Sequence, residues 1–221
     1  MSAKAVVLVS GGMDSAVVAA VAAAECDRLA LLHVNYGQRT EGKELECFEM
    51  LAEHFGASEK VVADIRHLQR IGGSSLTDEA IPIPEADKPD EVPTTYVPFR
   101  NTHLIATAVS WAEVIGADRI YIGVVGQDRP GYPDCRAEYI EAMNKLIAVG
   151  SRAGAGLRLV APLVAMNKEE VVRLGAKLSV PFQFTWSCYQ GRDEPCGMCT
   201  SCSLRAEAFA AVGIPDPIQP M

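Results

Sequence analysis

The chain has 221 residues, 49% of them hydrophobic, enough to bury a full core in one α/β domain with an appendage. Its 20 basic and 28 acidic residues leave a formal charge of −8, which counts against nucleic acid as a principal partner. No apolar run approaches the ~18 residues of a membrane span, and Met1 to Lys4 lead straight into a strand rather than a signal peptide, so a cytoplasmic protein without a membrane partner is expected.

Lys4 to Val9 reads as a short buried parallel strand and Met13 to Ala24 as a packed Ala/Val helix. Between them, Ser10-Gly11-Gly12-Met13-Asp14-Ser15 forms a glycine turn at a helix N-terminus. Free N–H groups and the positive end of the helix dipole favour an anion there, while Gly11 and Gly12 permit close backbone approach. Asp14 would repel bare phosphate, so a phosphate-bound magnesium ion is its natural partner. Neither G-x-x-x-x-G-K-[ST] nor G-x-G-x-x-G fits this loop.

Further along, Arg28 to Asn35 reads as a strand, Gly42 to Phe55 as a helix, and Lys60 to Asp64 as a strand. After an irregular stretch come a helix at Asn101 to Ile115, a strand at Arg119 to Val124, a helix at Ala137 to Val149 and a strand at Leu157 to Ala161. Asn167 caps a helix reaching Leu178. Lys43, Lys145 and Lys168 read as solvated helix positions, and His33 as a packed strand residue. Alternating strands and helices imply right-handed crossovers and a parallel sheet covered on both faces, with ligands at the carboxyl ends of the strands. The stretch 72–98 carries Gly72-Gly73-Ser74-Ser75 and five prolines, so it is expected to lack regular structure and to act as a lid.

Cys188, Cys196, Cys199 and Cys202 form C-x7-C-x2-C-x2-C, spacing that points to metal in a cytoplasmic chain. Four thiolates make a closed structural Zn²⁺ site, one per chain; an iron–sulfur cluster is the alternative. Cys26, Cys47 and Cys135 are scattered.

The loop S-G-G-x-D-S resembles that of the N-type ATP pyrophosphatases, which transfer AMP to an oxygen and release pyrophosphate. Four further segments extend the resemblance: Val34 to Arg39, Tyr96 to Asn101, Gly131 to Arg136 and Trp186 to Gly191. With the cysteine cluster and the tail Asp216-Pro217-Ile218, the whole is similar to the QueC family of 7-cyano-7-deazaguanine synthases. Departures are Phe99, where many members carry Gly, and Val125, where they carry Asn.

The resemblance implies an α/β, Rossmann-like (adenine nucleotide alpha hydrolase-like) domain over 1–180, with a zinc-binding segment, 181–221, packed on it. It also implies an ATP- and Mg²⁺-dependent ligase acting on a deazapurine acid and ammonia, and a homodimer. Val9, Ser10, Gly11, Gly12, Met13, Asp14 and Ser15, continuing through Ala16, Val17, Val18 and Ala19, would bind ATP. Asp14, Ser15 and Arg100 would be catalytic. Arg100, Tyr132, Asp134 and Arg136 would meet the substrate, with Asp134 on the N–H edge of the base and Gln127 and Asp128 lining the same pocket. A tRNA-modifying enzyme with the same loop, a non-catalytic nucleotide binder, and a paralogue that attaches a deazaguanine to a protein are the competing readings.

Overall fold

A computed structural model describes residues 3–85, 91–126, 131–191 and 193–218. Strands β1 (Lys4–Leu8), β2 (Arg28–Asn35), β3 (Glu59–Asp64), β4 (Arg119–Tyr121) and β5 (Arg158–Val160) form one parallel sheet in the order β3-β2-β1-β4-β5. The chain winds outward from β1 to β3, crosses back, and continues through β4 to β5. The direction therefore reverses between β1 and β4, and the crevice above that switch point is where an open α/β sheet accepts a ligand.

Helix α1 (Met13–Glu25) owes its position to composition. Its Ala and Val side chains leave no polar stripe, and Ala16 to Ala19 are fully buried between the sheet and two later helices. Those helices are α6 (Lys168–Lys177) and α7 (Thr200–Val212), which with α2 (Glu41–His54) cover one face of the sheet. Helices α4 (Arg100–Ile115) and α5 (Ala137–Gly150) cover the other through Ile105, Ala108, Ile140 and Ile147. A short α3 (His67–Ile71) follows β3. Phe209 of α7 packs edge-on against Phe182, ring centres 5.0 Å apart, so the C-terminal segment shares the core of α1 and α6. Among the described residues no helix is long and apolar enough to cross a membrane.

Three differences from the sequence reading have physical causes. Strand β4 stops at Tyr121, not Val124, because β5 ends at Val160, the partner of Tyr121. Helix α7 was not anticipated: its buried stripe includes Arg205, which breaks the apolar period. Lys168 is not solvated but 9% exposed. The stretch 72–98 contains no helix or strand among its described residues, yet its ends are pinned. Ser74, Ser75 and Thr95 are fully buried, and Ser75 N–H donates to the Thr94 carbonyl at 2.8 Å.

Gly175 shows how tightly α6 sits on α1, since a Cβ there would lie 2.4 Å from Phe182 Cζ and 2.8 Å from Val17 Cγ2. Gly175→Ala is expected to lower unfolding stability by about 1–3 kcal/mol through overpacking, outweighing the roughly 1 kcal/mol gain in helix propensity. Urea denaturation checks this.

Candidate functional site

A cavity of about 250 Å³ opens at the switch point, walled by the glycine loop, the ends of β1, β2 and β4, the start of α4 and the cysteine-bearing segment. Gly11 needs its left-handed φ of 85°, and a Cβ on it would sit 2.4 Å from the Glu44 carbonyl oxygen. The loop is stabilised from within: Ser15 Oγ donates to the Gly12 carbonyl at 2.8 Å, and Gly12 N–H donates to Ser10 Oγ at 3.2 Å. It is also held from outside, where Trp186 N–H donates to the Gly11 carbonyl at 2.9 Å.

Gly12 is the N-cap of α1 and provides no side-chain cap, so the first-turn N–H groups face the cavity. That arrangement fits the phosphates of ATP. Val9, Ser10, Gly12, Met13, Asp14 and Ser15 line the space, whereas Ala16, Val17, Val18 and Ala19 lie in the core and support the helix behind it.

Asp14 is gripped by Lys168, whose Nζ donates to Oδ1 at 2.9 Å and Oδ2 at 2.8 Å. Lys168 is the first residue of α6. The Asn167–Glu170 capping box fixes that helix start and so aims the lysine at the loop. The loop lacks a lysine in its own sequence but acquires one here from a distant helix, a contact that no local motif could reveal.

Arg100 lines the cavity, donates from Nη1 to Tyr36 Oη at 2.9 Å, and lies 5.1 Å from the Tyr36 ring centre. Burial opposes its charge, but attraction to Tyr36, Tyr132, Asp134 and Cys135 outweighs it and raises its pKa. Burial likewise raises the pKa of Tyr36 against the opposing pull of Arg100, so Tyr36 stays a neutral acceptor.

Tyr132 and Cys135 are in the cavity wall, but Asp134 and Arg136 are not. Asp134 is 3% exposed and its Oδ2 accepts from Asn101 N–H at 3.1 Å, while its carbonyl accepts from Asn101 Nδ2 at 2.9 Å. Its carboxylate thus anchors the first turn of α4 and hence Arg100. Arg136 is the exposed N-cap of α5. Gln127 and Asp128 lie outside the described residues. His33 is 1% exposed and bridges the Val9 carbonyl and Asn35, as a packed strand residue would.

The sulfurs of Cys188, Cys196, Cys199 and Cys202 all lie within 4.8 Å of one another, and those of Cys196 and Cys202 are 3.9 Å apart. Zinc–sulfur bonds of about 2.3 Å in a tetrahedron require sulfur separations of roughly 3.8 Å, so the cluster fits Zn²⁺. Backbone N–H groups of Gln190, Cys196 and Cys199 point at ligand sulfurs at 3.3–3.4 Å. Hydrogen bonds from Cys188 and then Cys202 pull the Cys199 thiol well below its ordinary range, whereas bonding to Cys199 pushes Cys188 up to about 11.

Because Trp186, Ser187, Cys188 and Tyr189 line the cavity, the cysteine cluster buttresses its wall. Arg205, 2% exposed, secures the same wall: it pairs with Asp216 at 2.8 Å and donates to Thr185 and Ser187. Metal analysis is expected to give about one zinc per chain, lost in Cys196→Ser. Asp216→Ala should cost about 3–5 kcal/mol in denaturation by leaving a buried guanidinium unpaired.

The family model described as queuosine biosynthesis protein QueC matches residues 4–213. A 7-cyano-7-deazaguanine synthase from Chlorobaculum tepidum is 52% identical over 217 residues, covering 98% of this chain and 96% of the relative. One from Koribacter versatilis is 49% identical, covering 97% and 92%. The fold resembles NMN synthetase from Francisella tularensis, with a TM-score of 0.51, 14% identity and coverage of 97% of this chain and 78% of that one. Matched over nearly its whole length and sharing about half its residues with these synthases, the chain belongs to the QueC family.

Proposed function

We propose that this chain is an ATP-dependent carbon–nitrogen ligase that converts 7-carboxy-7-deazaguanine and ammonia into 7-cyano-7-deazaguanine for queuosine biosynthesis. The observation that carries the reading is the uncapped α1 N-terminus, with its Asp14–Lys168 pair, opening into a cavity that continues past Arg100 to the cysteine-bearing wall.

A carboxylate is a poor electrophile because oxide is a poor leaving group. Attack of a carboxylate oxygen on the α-phosphorus of ATP expels pyrophosphate and gives an acyl adenylate. Ammonia then displaces AMP, loses a proton and leaves the amide. A second activation, at the amide oxygen, allows that oxygen to depart with the nucleotide as the nitrogen loses its protons and the nitrile forms. Backbone N–H groups of the loop stabilise the leaving pyrophosphate, and Lys168 adds a cation beside it. Asp14 would hold a magnesium ion on the phosphates, where the metal neutralises charge. Arg100 supplies a planar fork for a carboxylate or phosphate.

The stretch 72–98 closes over the bound substrate, zinc serves structure rather than catalysis, and the protein works as a cytoplasmic homodimer. Two units, 1–180 and 181–221, divide the labour between ATP chemistry and support of its wall. The acidic charge and the lack of a basic patch in the sequence favour a free base over tRNA as substrate.

Purified protein with ATP, magnesium, ammonia and 7-carboxy-7-deazaguanine should yield a product with the mass of the nitrile. Asp14→Ala should abolish it, and Lys168→Met should lower kcat by about 10²–10³-fold, the scale for losing one preorganised charge contact. ATP turnover seen only with tRNA would overturn the assignment.

A further inference from the structure

The cavity has two unlike ends. One is an apolar slot formed by Leu8, Leu32, Val34, Leu104, Ile122 and Val124, which lies beside the phosphate loop and suits the adenine of ATP. The other carries Gln38, Thr40 and Glu44, with Trp186 and Tyr189 facing the same space. Two carboxylates line the cavity among the described residues, Asp14 and Glu44. Lys168 neutralises Asp14, whereas no ion pair among the described residues involves Glu44.

Glu44 is nonetheless held firmly. Thr40 Oγ1 donates to its Oε1 at 2.5 Å, and Gln38 Nε2 donates to its Oε2 at 3.0 Å. Gln38 is in turn fixed by Tyr36 N–H, which donates to Gln38 Oε1 at 2.9 Å. Thr40 occupies the N-cap position of α2 but makes no side-chain cap bond. A threonine there ordinarily accepts a hydrogen bond from the first-turn N–H groups and stabilises the helix by about 1 kcal/mol. In this chain the hydroxyl is diverted to orient Glu44, a local rule broken in the wall of the site.

A carboxylate offers about four acceptor positions, and two are taken. An oriented, unpaired carboxylate in a partly buried pocket is satisfied by a ligand presenting two adjacent donors. We propose that Glu44 is the specificity-determining residue for the base, accepting hydrogen bonds from the N1–H and 2-amino group of the deazaguanine. Gln38 and Thr40 are its positioning residues. An adenine-type edge presents a ring acceptor in place of N1–H and would meet the carboxylate with repulsion. The inference rests on the substrate class proposed above and assigns the carboxylate role to a residue other than Asp134.

The test is calorimetric titration of the full-length zinc-loaded protein with 7-carboxy-7-deazaguanine and with 7-carboxy-7-deazaadenine, with ATP binding and thermal unfolding measured in parallel. The wild type should prefer the guanine-type acid by about 100-fold or more. Glu44→Gln should weaken that ligand by about 10–100-fold, as expected for hydrogen bonds to a charged group, and collapse the preference to about tenfold or less. ATP affinity and melting temperature should not change. Thr40→Val, which keeps the backbone and frees the carboxylate, should reduce the preference several-fold and serves if Glu44→Gln does not fold. A preference that survives both substitutions, or equal weakening of both acids and ATP, would overturn the role of Glu44. Failure of the wild type to bind the guanine-type acid would instead refute the substrate reading itself.

Discussion

The rest of the site is arranged around the open N-terminus of α1. A helix end left uncapped at Gly12 leaves several N–H groups aimed into space, and their common positive potential has to be met by an anion. Asp14 supplies one negative charge and Lys168 answers it at 2.8 Å, so the charges on these two side chains balance within the chain. Lys168 stands at the positive end of its own helix, an unfavourable place for a cation. The carboxylate partner and the capping box of α6 offset that placement. Two helix ends from opposite termini of the chain are thus tied through one ion pair.

The cysteine cluster and the buried Arg205 have a related purpose. Together they fix the segment from Thr185 to Tyr189, which forms one wall of the cavity and donates the Trp186 N–H to Gly11. A small loop-rich segment cannot bury enough apolar surface to hold itself rigid, and a cysteine cluster that fits a metal ion offers a substitute for the missing core. The four-cysteine cluster determines where one side of the cavity lies.

Much of this was legible in the sequence for clear reasons. The strand and helix of the first unit were readable because a β-branched run, a glycine pair and an alanine-rich stretch each have one dominant use. Cysteine spacing likewise reports the four-cysteine cluster directly. Lys168, Glu44 and Arg205 were not legible, since each depends on a partner far away along the chain or on burial that its residue type disfavours. Asp134 lies in a motif shared with the family, but motif membership does not tell a reader that its carboxylate accepts from Asn101 N–H and anchors the helix bearing Arg100. The early end of β4 reflects β5 running out at Val160, which no window of sequence around β4 contains.

The hydrogen bond from Trp186 to Gly11 joins residues separated by most of the chain. Contacts of such long range form late in folding, because the intervening loop must be closed before they contribute. During synthesis the phosphate loop would leave the ribosome early, with β1 and α1 around it, yet it would lack both Lys168 and the wall it leans on. A nascent chain can therefore assemble most of its sheet while remaining unable to shape its nucleotide site. Competence arrives only with the C-terminal helix, so a truncated product is expected to be inert rather than partly active.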